Sequence, residues 1–450
     1  MKLFKSSSFL KSVITLSAGT TIAQAIPALI SPILTRIYSP EDFGVLAIFI
    51  SFTAVFSVLA TGKYELAIVL PKKNEQARKL VRLSLVLTAY FSLTLVFIFF
   101  LGHDYILSFI NDKKISFWLY LIPLSVFLTA AFEVYRYYSI RHSSYKAISQ
   151  STILKSGTSS VFQIGVGVIS TGPLGLLLGN ILSLFTGNLS LKNIYSKNPS
   201  QKEKETYKMK DLKDMAVRYK NFPKFTLPSS FLNSASLQLP VFFFTTFFSS
   251  TIVGFYALTQ RVLNVPMTVI GNSIGQVFFQ KASDYKNNPR ILKVLTWSLY
   301  KDLLKIGIIP LAIIIFFGKE IFSFVFSAQW EVAGSYAQIL SVWIFFVFIS
   351  SPISNLLFVQ ERQKEALVLQ IVIFVSRLMV LSACALLHLN AFQTIFYFGL
   401  TGALIFFGFI FYLLSSIGIE KIKIIQHSFF TIVIGIIPVF LFKKFIWSLL

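Results

Sequence analysis

Lys155, Arg261 and Arg377 are cations set deep in long apolar runs, with almost no matching carboxylates among the other deep positions. Lys155 sits among Ser151, Thr152, Ser156, Thr158, Ser159, Ser160 and Gln163, and Arg261 has Gln260 and Asn264 beside it. An ionisable group inside an apolar span is costly and is a functional suspect by default. A cationic set calls for an anionic partner, and arginine's fork of parallel donors suits phosphate. The plainer alternative is snorkelling to the surface. It fits Lys301 and Lys305, early in their run, better than the three deep cations. Glu133 and Arg136 read as an i,i+3 pair at an interface. Glu133 and Asp302 are the weak candidates for a coupled ion or proton.

Two polar stripes accompany these charges. Thr20, Thr21, Gln24, Ser31 and Thr35, preceded by Ser17, recur at helical spacing on one face. Thr226, Ser229, Ser230, Asn233 and Ser234 do the same further on. A polar face in a membrane helix must meet another helix or water. One stripe alone fits interhelical bonding equally well; two in equivalent helices favour a shared aqueous cavity. Thr20, Gln24, Ser230, Asn233 and Asn264 are therefore substrate-binding candidates alongside the three cations.

Other chemistries lack their residues. There is no G-x-x-x-x-G-K-[ST] loop for ATP and no zinc-like spacing of His, Cys and Glu. No cofactor or metal is expected. His103, His142, His388 and His427 fall at span ends, and the single cysteine, Cys384, permits no internal disulfide. The longest loop on the outer side, Gly318 to Val332, is short for a catalytic domain, so the chain reads as a non-enzyme.

The elements that must hold these residues are membrane helices. The 450 residues are 55% hydrophobic and only 13% charged, with mean hydropathy +0.72. A soluble chain carries about 25% charged residues. Apolar runs long enough to cross a hydrocarbon core recur along the length, without the strict alternation of a β-barrel. Spans are expected near 10–35, 44–62, 78–101, 116–139, 147–170, 173–191, 224–248, 252–278, 295–318, 333–358, 365–388 and 391–416. A thirteenth, Ser428 to Trp447, is interrupted by Lys443 and Lys444, and the sequence leaves its crossing open. The N-terminus imitates a signal peptide, with Lys2, Lys5 and an Ala23-Gln24-Ala25 site. Its Ser/Thr-rich centre and continued apolar character to Leu34 favour an uncleaved first span.

With a cytoplasmic N-terminus, the inner segments hold about 30 of the 41 basic residues and the outer turns four, namely Arg36, Lys113, Lys114 and Lys319. The net charge of +23 is thus a topology signal and a face toward anionic lipid; nucleic acid is not required. The expected organisation is a six-helix bundle over 1–196, a basic, solvated cytoplasmic linker over 197–223, a second six-helix bundle over 224–416 and a tail over 417–450. An offset of 210 superposes Ser39, Gly44 and Ala47 on Ser249, Gly254 and Ala257, and Thr35 on Thr245. The halves read as parallel repeats.

The stretch "SAGTTIAQAIPALISPILTRIYSPEDFGVLAIF", followed by "TGKYELAIVLPKKNEQA", resembles the N-terminal signature of Wzx-type polysaccharide flippases of the multidrug/oligosaccharidyl-lipid/polysaccharide exporter superfamily. The match is specific over roughly residues 14–80, with a "QxRxxxxP"-like start of the eighth span from Gln260 to Pro266. Arg36, Tyr38, Pro40, Gly44, Lys63, Tyr64 and Glu65 belong to that signature. The resemblance implies two pseudo-symmetric, MATE-like six-helix bundles around a cavity and alternating access. It also implies export of undecaprenyl-pyrophosphate-linked oligosaccharide across the bacterial inner membrane, for O-antigen, capsule or exopolysaccharide, beside a polysaccharide polymerase and chain-length proteins. The rivals are a small-molecule exporter of the same superfamily and a membrane polymerase or ligase. Pro40, Glu41 and Asp42 suit a helix start, and Gly44 a close helix approach.

Overall fold

A computed structural model describes residues 7–110, 112–197, 209–266 and 271–449; the side chains of 7–18, 194, 197, 266, 272–273 and 446–449 lie outside the description. Among the described residues all regular structure is helical. The helices are α1 (Ser7–Ile37), α2 (Pro40–Ala60), α3 (Asn74–Leu101), α4 (His103–Ile110), α5 (Ser116–Leu119), α6 (Ile122–Arg141), α7 (Tyr145–Ile169) and α8 (Leu174–Lys197). They continue as α9 (Met209–Arg218), α10 (Leu227–Phe247), α11 (Ser250–Pro266), α12 (Asn272–Asp284) and α13 (Pro289–Phe326). The last four are α14 (Glu331–Val359), α15 (Gln363–Leu386), α16 (Ala391–Ser416) and α17 (Lys421–Leu449).

Eight described helices are long and apolar enough to cross a membrane, or nine when the bent pair of Lys113–Leu119 and Ile122–Arg141 counts as one. Neither α7 nor α10 is among them. Their dense serines and threonines, with Lys155 and Gln163 in α7, dilute the apolar run. The expected eighth span is represented by α11 and α12, and residues 267–270 between them lie outside the description.

The chain divides into two compact units, Met1–Gly254 and Phe255–Leu450. In the first, α1 packs on α7, α7 on α8, α3 on α6, and α2 on α6 and α10. The turn into α2 is closed by a capping box: Asp42 N–H donates to Ser39 Oγ (3.2 Å) and Ser39 N–H to Asp42 Oδ2 (3.0 Å). Pro40 occupies the first turn, where a missing N–H costs little. Lys114 reaches Glu41 at 2.5 Å.

The 210-residue offset has a structural counterpart. α1 ends at Ile37 and α10 at Phe247; α2 opens at Pro40 and α11 at Ser250. The copies also touch. A Cβ on Gly44 would collide with the Ser250 carbonyl, and one on Gly254 with the Pro40 carbonyl. The contact is reciprocal, each glycine of one copy lying on the helix start of the other. The close approach anticipated at Gly44 is therefore made between the repeats, not between neighbouring helices of one bundle.

The basic segment before α10 is not solvated throughout. α9 places Leu212 and Met215 in a buried cluster with Tyr64, Leu80, Val81 and Tyr138. Lys79 on α3 bridges Asp211 on α9 at 3.2 Å. Residues 198–208 of the expected linker lie outside the description.

In the second unit α14 packs against α13, α16 and α12. Its core includes Tyr300, Leu303, Phe345, Ile349, Phe409 and Leu413. α17 runs parallel to α13 along its length. Tyr300 OH meets Ser428 Oγ at 2.6 Å, Gly435 lies on Ile308, and Lys443 donates to the Phe316 carbonyl and to Glu320 Oε1 (3.2 Å). Lys443 is thus a paired end-group, and its charge does not stop the helix.

Candidate functional site

In the first unit the site centres on Lys155. Its Nζ lies 5.1 Å from the centroid of the Phe132 ring, a cation–π contact. The absence of a side chain at Gly187 leaves room for the Phe132 ring. Glu133 is near enough to act on it electrostatically. That carboxylate is engaged by Arg136, with Nε at 3.1 Å from Oε1 and Nη2 at 2.5 Å from Oε2.

Part of the polar surface around Lys155 serves packing. Ser156 Oγ donates to the Ala23 carbonyl of α1 at 2.7 Å, Thr186 to Thr158 at 3.2 Å, and Gln163 to the Leu176 carbonyl at 3.3 Å. Gly19 lets α1 close on Ser149. Ser31 and Thr35 are buried and return their hydroxyls to the Pro27 and Pro32 carbonyls. Ser234 bonds the Ala54 carbonyl at 3.2 Å, and Ser51 bonds Gln238 at 2.8 Å, joining α10 to α2. The stripes therefore divide. Ser31 and Thr35 bond within α1 and Ser234 ties α10 to α2, whereas Gln24 and Asn233 are exposed and Thr20 and Ser230 partly so. Ser17 lies among the side chains outside the description.

The second unit holds the other two cations. Along α11, Asn264 Nδ2 donates to Gln260 Oε1 (3.0 Å) and Gln260 Nε2 to Tyr256 OH (3.1 Å). These i,i+4 steps form a continuous amide–phenol ladder, with Arg261 one residue round the helix. Thr259 on a neighbouring face anchors α11 by donating to the Ala333 carbonyl at 2.8 Å. Arg377 on α15 lies with its guanidinium carbon 5.5 Å from the Trp343 ring centroid. Tyr256 and Arg377 are close enough to interact electrostatically. Ser376, Thr401 and Gly402 line the tight cleft around Arg377. Arg377 and the Tyr256–Gln260–Asn264 ladder thus both belong to the second unit, while Lys155 is described within the other. Asp302 is exposed on α13.

Sequence reasoning did not single out Tyr256, Trp343 or Phe132. Tyr256 was within reach, since it continues the four-residue spacing of Gln260 and Asn264. The two aromatic partners come from other helices, and no sequence period connects them to their cations.

The signature residues have structural places. Tyr38 OH donates to the Gln163 carbonyl at 2.6 Å, and Gly167 and Gly175 leave space for its ring. Arg36 Nη1 donates to the Pro32 carbonyl at 2.6 Å. Lys63 adopts a left-handed conformation (φ 62°) and pairs with buried Glu65 at 3.4 Å. Tyr64 OH donates to the Ala216 carbonyl of α9 at 3.1 Å. Arg141, at the end of α6, donates to the carbonyls of Ile68, Val69, Pro71 and Lys72. The loop after α2 is thereby clamped between α6 and α9.

Residues 33–335, well over half of the chain, match the family of polysaccharide biosynthesis proteins. The chain belongs to that family. The matched range includes most of the signature read above and continues through α13. No curated protein matches the chain significantly in sequence. Among solved structures the fold is similar to the lipid II flippase MurJ in an inward closed conformation. The TM-score is 0.75 at 14% identity, over 95% of this chain and 92% of that one. It is also similar to an inward-facing multidrug resistance MATE family transporter of the MOP superfamily, with TM-score 0.66 and 16% identity over 90% of this chain and 98% of that one. A MOP superfamily transporter from Pyrococcus furiosus Vc1 aligns with TM-score 0.55 and 15% identity over 96% of both chains. These likenesses establish a polytopic, MurJ- and MATE-like helical fold for this member of the polysaccharide biosynthesis family.

Proposed function

We propose that the protein is a flippase moving undecaprenyl-pyrophosphate-linked oligosaccharide repeat units from the cytoplasmic to the outer leaflet of a bacterial inner membrane, by alternating access. The observation that carries this reading is the set of cations at membrane depth, Lys155, Arg261 and Arg377, within a family of polysaccharide biosynthesis proteins. The pyrophosphate would engage the cations, and the sugars the exposed amides and hydroxyls of Gln24, Asn233 and Ser230. The prenyl tail would stay in lipid. A small-molecule cation exporter would call for deep carboxylates where this chain has bases.

Outward movement of an anionic headgroup is favoured by an inside-negative potential, by about 2.3 kcal/mol per charge per 100 mV. No covalent bond is made or broken in this scheme. A polymerase and chain-length proteins would act on the product, and the N-terminus would be cytoplasmic. In cells lacking the protein, the completed lipid-linked repeat unit should accumulate unchanged on the inner leaflet, protected in spheroplasts from impermeant periodate or lectin. Accessible repeat units would overturn the proposal in favour of a polymerase or ligase.

A further inference from the structure

Away from the deep cations, the first unit carries a second basic feature that transport of a repeat unit leaves unused. A lateral cavity of about 440 Å³ opens between α3, α6 and α8. Arg82 and Lys192 stand at one end, both exposed, and Phe127, Phe185 and Ala89 line its apolar walls. A second cleft of about 390 Å³, lined by Tyr90, Leu93 and Leu212, shares Arg82, Val86 and Ala89 with the first. One cation thus stands where two apolar clefts meet. The helical rise from Arg82 to Ala89, or from Lys192 back to Phe185, is about 10 Å, so each cleft runs from a charged mouth into apolar depth.

The polar groups at this mouth are not spent on the protein. Among the described residues, neither Arg82 nor Lys192 makes a hydrogen bond or ion pair. The Tyr135 hydroxyl, which also lines the first cavity, has no described hydrogen-bond partner. Asn188 is 8% exposed and donates its amide to the Leu128 and Leu184 carbonyls at 2.7 and 2.8 Å. We propose that this paired groove binds an anionic diacyl phospholipid. Its phosphate meets Arg82 and Lys192, and one acyl chain enters each cleft. The charge at the mouth selects the anion, and the two clefts meeting at one cation select two chains over a single prenyl tail. The inference stands whatever molecule the protein transports.

Native mass spectrometry of the full-length protein in detergent tests this, with phosphatidylglycerol and phosphatidylcholine of identical chains as probes. The wild type should retain phosphatidylglycerol preferentially. The Arg82→Gln/Lys192→Gln variant should retain roughly thirtyfold less, as expected for two surface cations acting on one anion. Ala89→Phe keeps both cations but fills space shared by the clefts, and should lose phosphatidylglycerol as well. Equal retention of the two lipids by the wild type overturns the proposal, and that arm needs no variant to fold. Undiminished retention by either variant also overturns it. So does displacement of phosphatidylglycerol by equimolar polyprenyl phosphate, which would make the groove a site for the transported lipid.

Discussion

Arg377 rests on the Trp343 ring, which stabilises a desolvated guanidinium without neutralising it. Arg377→Ala should lower surface polysaccharide while leaving the amount of protein in the membrane unchanged, as quantified by polysaccharide staining and immunoblotting. Arg377→Lys should rescue only partly, because an ammonium cannot make the parallel pair of donors. Lys155→Ala should behave like Arg377→Ala, and normal polysaccharide in both alanine variants would remove the cations from the transport step. Tyr64 belongs to a different class of residue. Burial pushes its phenol above the usual pKa, keeping it a donor, and its one described hydrogen bond fastens α9. Tyr64→Phe should therefore cost about 1 kcal/mol of stability without changing the cation-dependent step, visible as a lowered midpoint in a thermal melt of the purified protein.

At the scale of elements, glycine positions separate close packing from mere helix content. Gly44 lies against the Ser250 carbonyl, whereas nothing stands within 4 Å of a Cβ at Gly157 on α7. Gly44→Ala should cost about 1–3 kcal/mol, the penalty of forcing atoms into a filled contact. Gly157→Ala should be neutral or gain about 0.5–1 kcal/mol from helix propensity. Paired thermal melts measure both, and equal effects would mean that the crossing is looser than it looks. The sequence made the long helices legible because each needs a sustained apolar run, and the turn at Ser39 because proline and acidic residues favour a helix start. It did not reveal α9. Only Leu212 and Met215 of that short helix are buried, too few to stand out in a lysine-rich stretch. The division of the stripes was equally hidden, since Ser230 and Ser234 are the same residue type, one partly exposed and the other bonded to α2.

At the scale of the whole chain, α17 lies parallel to α13 from Tyr300 and Ser428 to Glu320 and Lys443. Of the two lysines that interrupt this helix in sequence, Lys443 is accommodated by a partner at the far end of α13. Lys421→Cys and Lys444→Cys should accordingly label with impermeant maleimide from opposite faces of the membrane in a Cys384→Ala background; labelling from one face would refute a crossing by α17. The reciprocal glycines carry a consequence for how the chain tolerates change. Because Gly44 and Gly254 close one crossing from both sides, the first added methyl group must push the two backbones apart, and the second then enters space already opened. The costs of Gly44→Ala and Gly254→Ala should fail to add, with the double variant less damaged than the two single losses together. The duplicated turn would then behave under mutation as one site with two addresses, so that a change at one address relaxes the demand for glycine at the other.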